Sequence, residues 1–204
     1  PKAARRLPKT IARDDMAALL AVYGEVDADG APREQTAAEM RDAALLEFLF
    51  SCGARVSEAA GLRLAWVDFP AGEVKVFGKR SKERIVPLSR KGARAMERYL
   101  NEARSDLLQG QASEFFFVSN RGRPLSADGI RKMFKRALRA AGLDESLSPH
   151  AMRHSFATEL LDGDADLRSV QDMLGHASLS TTQIYTHVSP DRLKRVHGLA
   201  HPRA

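Results

Sequence analysis

The stretch from Ser148 to Tyr185 constrains this chain more than any other. It packs three helix signals and four chemically potent side chains into one short run, SPHAMRHSFATELLDGDADLRSVQDMLGHASLSTTQIY. Ser148-Pro149 supplies an N-cap and a proline whose fixed φ suits the first helical position, so His150 falls in the first turn of a helix. Arg153, three residues on, shares its face. A polar loop through Gly163 leads to a second short helix, DLRSVQDMLGH, with Leu167, Val170 and Leu174 as its apolar stripe and Gly175-His176 at its end. A third, SLSTTQIYTHV, carries Tyr185. Packing these helices through the apolar residues between them points His150, Arg153, His176 and Tyr185 at one place.

That set has a chemical meaning. A guanidinium fork binds phosphate oxygens two at a time, an imidazole moves protons near neutral pH, and a tyrosine oxygen is a potential covalent nucleophile. No run of carboxylates accompanies them to hold magnesium, which favours phosphoryl transfer supported by the protein's own cations. Taken singly, His176 is more often a residue meeting a helix C-terminal dipole, and Tyr185 more often a half-buried core side chain. The combination is what argues for a site.

Thirty-two Lys and Arg against 26 Asp and Glu leave a net charge of +6, the balance of a protein that meets a polyanion. Charge alone would also suit a ribosomal or membrane-surface protein. With 204 residues and 44% hydrophobic composition the chain has material for one large domain with a true core. The single Cys52 excludes an internal disulfide and reads as a small buried thiol, so the reducing cytoplasm is the expected compartment. Neither a membrane-length apolar run nor the apolar core of a signal peptide is present.

Residues 1–9 are basic, contain two prolines and read as a linker, so a preceding domain is expected. Thr10 is the expected cap of a helix IARDDMAALLAVY with Ile11, Leu19 and Leu20 in the core, and residues 26–35 form a polar loop. Thr36-Ala-Ala-Glu39 is a capping box ahead of the strongly apolar MRDAALLEFLF, which Cys52-Gly53 ends. Arg55 then lies at a junction before a helix capped by Ser57, where its bland reading is a dipole or salt-bridge partner. EVKVF and RIVPL alternate as two antiparallel strands around GKRSKE, whose tip presents Lys79 and Lys82 either to a bound duplex or to solvent. The turn does not choose between these lysines. A helix from about Lys91 to Ala103 follows, then EFFFV as a candidate third strand. Ser126 starts a helix ending at Gly142. Its Arg131, Lys132, Lys135, Arg136 and Arg139, with only Asp128 in opposition, are candidates to lie along DNA phosphates. Ser189-Pro190 opens a last amphipathic helix. The whole reads as mainly α with a small antiparallel β-sheet, an α+β chain.

ARVSEAAGL, GKRSKERIVPLS, SPHAMRHSFATELL, DLRSVQDMLGHASLSTTQIYTHV and the closing HPRA, in this order, resemble the catalytic domain of tyrosine recombinases of the phage-integrase family, most of all the bacterial XerC/XerD type. The resemblance runs from about Leu7 to the C-terminus and implies the DNA breaking-rejoining fold over residues 10–189. It leaves residues 190–204 as a helix and tail for subunit contact, and an N-terminal core-binding domain absent from the chain. It also implies roles: Arg55 the first catalytic arginine, Lys79 the hairpin lysine in preference to Lys82, His150 and Arg153 the H-x-x-R pair, His176 the second histidine and Tyr185 the nucleophile. SCGARVSE stands where T-G-x-R-V-S-E is commoner, and residues 26–35 are longer than usual; neither touches a catalytic position.

The implied activity is strand exchange through a 3′-phosphotyrosyl intermediate, with double-stranded DNA as substrate and no cofactor or metal. Other expectations are a tetramer of identical or paralogous subunits, a DNA translocase as a further partner, no membrane, and a nucleoid-associated place in the bacterial cytoplasm. Chromosome-dimer resolution is the expected role, with integration of a phage or mobile element as the alternative. A type IB topoisomerase shares the residue logic but rejoins the same strand. A non-catalytic DNA-binding module would leave Tyr185 in the core. A zinc site on His150 and His154 lacks the glutamate of H-E-x-x-H and a nearby cysteine.

Overall fold

Among the described residues the longest helix is the one the sequence specifies most fully. In the computed structural model, which describes residues 9–78, 82–162 and 166–175, α2 spans Ala37–Cys52. Thr36 and Glu39 close a reciprocal capping box at its start, with Glu39 Oε2 accepting from the Thr36 amide at 2.8 Å, and Gly53 ends it with φ +55°. Leu45, Leu46, Phe48, Leu49 and Phe50 are all essentially inaccessible, so α2 is covered all round, as a central core helix must be. α1 (Arg13–Ala21), α4 (Arg90–Arg98) and α7 (Pro149–Asp162) pack against it. Cys52, at its end, is buried as expected.

α1 starts later than the sequence predicts. Ala12, not Thr10, is its N-cap, because the Ile11 side chain is buried and its amide donates to Ser155 Oγ at 2.7 Å, which holds the chain extended up to Ala12. α3 (Val56–Ala60) corrects Ser57 in the same way: Arg55 is the N-cap and Glu58, at the third helical position, accepts from its amide at 2.8 Å.

The hairpin is present, as β2 (Glu73–Phe77) and β3 (Glu83–Pro87) in antiparallel register with Lys75 opposite Ile85. Val74, Val76, Arg84 and Val86 are buried, while Ile85 is exposed. The third strand is β1 (Val67–Asp68), not EFFFV, and the order is β1-β2-β3. The Phe115–Val118 backbone has other partners. Arg104 donates to the carbonyls of Ser113, Phe115 and Phe116 at 2.9, 2.6 and 3.0 Å, Arg41 to that of Val118 at 3.2 Å, and the Val118 amide donates to Tyr99 Oη at 3.2 Å. With single backbone pairings, the Phe116 amide to the Leu62 carbonyl at 2.8 Å and the Leu125 amide to the Phe117 carbonyl at 3.0 Å, isolated bridges and side-chain bonds stand in place of a ladder.

α4 continues beyond the expected Ala103, through a π turn at Tyr99–Ala103 into α5 (Arg104–Leu108). α6 (Ala127–Ala140) begins after the Ser126 cap and ends toward Gly142, φ +69°, as predicted. α7 begins at Pro149 with Ser148 Oγ accepting from the Ala151 amide, also as predicted. α8 (Leu167–Leu174) buries Val170, Met173 and Leu174 against the core, but Leu167 is 59% exposed and falls outside the stripe assigned to it. The expected helices around Tyr185 and after Ser189 lie outside the described residues. Among the described residues no helix is long and apolar enough to cross a membrane.

Candidate active site

The site is assembled from three ends: the α2–α3 junction, the turn end of the hairpin and the C-terminus of α8. Arg153 stands on α7 with only 6% of its surface accessible. Its Nη1 donates to the Gly53 carbonyl and its Nη2 to the Leu174 carbonyl. Arg55, half-buried, comes from the other side: Nη1 donates to Glu58 Oε1 at 3.0 Å and Nη2 to the Gly175 carbonyl at 3.4 Å. The two guanidinium groups therefore meet on consecutive carbonyls at the end of α8. Helix C-termini carry partial negative charge, so this is where cations are stabilised.

Burial, then the neighbouring Arg55 charge, depress the Arg153 pKa to about 10; Glu58 opposes the shift and Arg84 adds to it. Burial by itself would raise the Glu58 carboxyl, but hydrogen bonds from Arg84, its charge, and the Arg55 amide hold it below the usual carboxylate range. Arg84 itself is a residue the motif reading passed over. It is buried on β3, donates to both Glu58 oxygens at 2.6 and 2.9 Å, and sends Nε to the Met173 carbonyl at 2.7 Å. The signal was available: in ERIVP the alternation puts Arg84 on the inward face with Val86, where a charge must have a partner.

His150 lies in the first turn of α7 and is exposed; His154, one turn on, is half-buried. Lys79, His176 and Tyr185 lie outside the described residues, but their chain neighbours border the site. Gly78 sits where an added Cβ would be 3.8 Å from Arg55 Nη1 and 3.7 Å from Glu58 Oε1, and it holds the hairpin closed through its amide to the Lys82 carbonyl at 2.8 Å. Gly175 precedes His176 and carries the carbonyl that Arg55 meets. Lys82 is exposed.

The five cations of α6 are all exposed, as expected, but the expectation of a lone acidic neighbour is corrected. Lys132 pairs with Asp128 at 2.9 Å, and Arg139 forks onto Glu145 at 2.7 and 3.0 Å, a carboxylate beyond the end of the helix that the helical pattern could not reveal. Arg136 reaches Tyr23. A separate cleft of about 310 Å³ between α1, α2 and α4 contains none of the candidate residues. Among the described residues no three His, Cys, Asp or Glu side chains gather as a metal site.

Comparison with known proteins gives the family. Residues 11–192 match the family model described as the phage integrase family. The chain is 46% identical over 203 residues to the tyrosine recombinase XerD of Pseudomonas aeruginosa and 44% identical over 204 residues to that of Halalkalibacterium halodurans, in each case over 100% of this chain and 65% of the relative. It therefore spans about two thirds of the length of these relatives, slightly less than two thirds by the matched share. Among solved structures, the XerH site-specific recombinase bound to its difH substrate superposes with a TM-score of 0.70 at 28% identity, covering 95% of this chain and 55% of that one. The chain belongs to the phage integrase family, the family of the tyrosine recombinases.

Proposed function

We propose that the chain is the catalytic part of a site-specific DNA recombinase that cleaves and exchanges strands of duplex DNA through a 3′-phosphotyrosyl intermediate, in the manner of XerC and XerD. The observation that carries this reading is the meeting of Arg55 and Arg153 on the adjoining carbonyls of Gly175 and Leu174, one residue before His176. Gly78, one residue before Lys79, lies against the same Arg55 guanidinium.

In this mechanism Arg55 and Arg153 hold the non-bridging oxygens of the scissile phosphate and offset charge developing in the transition state. The Tyr185 oxygen forms the new bond to phosphorus as the bond to the 5′ oxygen breaks. His150 takes the tyrosine proton, Lys79 supplies one to the departing oxygen, and His176 donates a hydrogen bond to the phosphate. A free 5′ hydroxyl then reverses the step on the phosphotyrosine, so bond energy is conserved. The exposure of His150 and the burial of Arg153 suit a base open to substrate beside a rigidly held cation. Lys82, Arg131, Lys132, Lys135, Arg136 and Arg139 would supply phosphate contacts, with Arg139 and Lys132 weakened by their carboxylate partners. Residues 10–189 form the catalytic domain and 190–204 a contact to a neighbouring subunit in a tetramer. The names of the relatives favour a XerC/XerD-type role over mobile-element integration.

A radiolabelled library of nicked duplexes tests the reading, because loss of the short fragment traps the covalent intermediate. A protein-linked band on a denaturing gel that disappears with Tyr185→Phe is the expected result. A band that persists in that variant removes Tyr185 as nucleophile.

A further inference from the structure

We infer that Arg84 is a positioning residue for cleavage: it holds the two phosphate-binding arginines in register by clamping the hairpin, α3 and the end of α8 together. This rests on the function proposed above.

Its three bonds go to two different elements. The fork to Glu58, at 2.6 and 2.9 Å, fixes the carboxylate that in turn receives the Arg55 amide and Nη1. The Nε bond to the Met173 carbonyl, at 2.7 Å, fixes the last turn of α8, whose next two carbonyls accept from Arg153 and Arg55. Arg84 bonds to Glu58 and to the end of α8, and each candidate phosphate ligand is bonded to something Arg84 holds. Gly175 completes the clamp. Its φ is +67°, and a Cβ there would come 3.0 Å from Arg84 Nη1, so the backbone of α8 closes directly over the guanidinium. Lys79, outside the described residues, precedes Arg84 in the same GKRSKER segment of sequence.

A lysine at position 84 keeps the charge but has no fork and no Nε donor, so it cannot hold Glu58 and Met173 together. Misplacement of a reacting group by about 1 Å is enough for a rate loss on the order of 100-fold. Arg84→Lys is therefore expected to lower single-turnover formation of the covalent complex by about 10- to 100-fold at saturating nicked duplex, with the half-saturating concentration changed by less than about threefold. Because it acts through Arg55, its loss should not multiply with that of Arg55→Lys: the double variant should be about as slow as the slower single one. A purely structural role would lower the folded fraction and multiply with any second lesion.

Gly175→Ala provides an independent approach, pressing on Arg84 from α8 without altering a charge, and is expected to show the same split between rate and binding. Thermal melting of each variant reports the folded fraction. Cleavage by Arg84→Lys within about threefold of wild type, or losses that multiply with Arg55→Lys, overturns the positioning role. If Arg84→Lys does not fold, wild-type cleavage by folded Gly175→Ala overturns it equally. A wild-type chain that forms no Tyr185-dependent complex overturns the proposed function instead, and the inference with it.

Discussion

Gly53 offers the sharpest test of how the site is held, because one methyl group there meets both α7, which carries Arg153, and α8, whose end anchors Arg55 and Arg153. Its φ of +55° already disfavours any side chain, and an added Cβ would lie 2.5 Å from Phe156 Cδ1 and 2.6 Å from Leu174 Cδ2. The left-handed backbone costs a non-glycine residue about 1–2 kcal/mol. Forcing a methyl into a filled core adds about 1–3 kcal/mol, since both contacts are with buried side chains that have nowhere to go. Gly53→Ala should therefore lose about 2–5 kcal/mol, a large share of the roughly 5–15 kcal/mol that holds a domain folded. Gly142→Ala separates the two contributions: its φ is +69° but nothing lies within 4 Å of the new methyl, so only the backbone cost of about 1–2 kcal/mol remains. Urea unfolding of both variants measures the difference. Because the Gly53 carbonyl accepts from Arg153, the Gly53 variant should also cleave DNA more slowly in the folded state. Equal destabilisation by the two substitutions would refute the close packing of α7 and α8 over the end of α2.

Glu58→Gln strands the buried Arg84 and should cost about 3–5 kcal/mol at pH 7. The Glu58 pKa is lowered from 4.5 in the folded chain, so its contribution is fully present above that value and is lost as pH falls through the lower folded pKa; the gap in melting temperature between variant and wild type should narrow there, and a constant gap would contradict the ion pair. Arg104→Met deprives the Ser113, Phe115 and Phe116 carbonyls of their donor and should lose about 2–4 kcal/mol in urea unfolding, where a loss below about 1 kcal/mol would mean water replaces it. Cys52 is buried and its thiol pKa pushed well up by desolvation, so a disulfide reagent at pH 8 should modify it only after unfolding; rapid native reaction would place it at the surface.

What could be read in the sequence was local chemistry. The Thr36–Glu39 box, the Ser126 and Ser148 caps and the alternation of EVKVF each depend on residues within one or two turns, and the structure reproduces them. The Phe115–Val118 run forms isolated bridges rather than a strand of the sheet, because Arg104, Arg41 and Tyr99, brought there by tertiary packing rather than by its own alternation, take several of its backbone groups. Ser57 failed as a cap for a similar reason: Glu58 reaches back to the Arg55 amide and starts α3 earlier. Arg55 and Arg153 were found as motif residues, but their common anchor at the end of α8 is a property of the fold. Arg84 was overlooked because it carries none of the chemistry the motifs advertise, although its inward place on β3 marked it.

The charge of the cluster gives that anchor its purpose. Arg55, Arg84 and Arg153 bring three positive groups together, and among the described residues Glu58 is the one carboxylate bonded to any of them. Backbone supplies the rest of the balance. Carbonyls at the C-terminal ends of α2 and α8, from Gly53, Met173, Leu174 and Gly175, accept from the guanidinium groups with the helix dipoles aligned to help. Burial first, and then the neighbouring Arg55 charge, lowers the Arg153 pKa to about 10 despite these partners. A cation whose folded pKa is lowered carries a cost at neutral pH that would be relieved only as pH rises through that value toward its unfolded one. An anion bound between Arg55 and Arg153 relieves the same cost at neutral pH by adding negative charge. The site is thus underneutralised without ligand, and the scissile phosphate of the proposed reaction supplies the missing charge where the transition state will concentrate it.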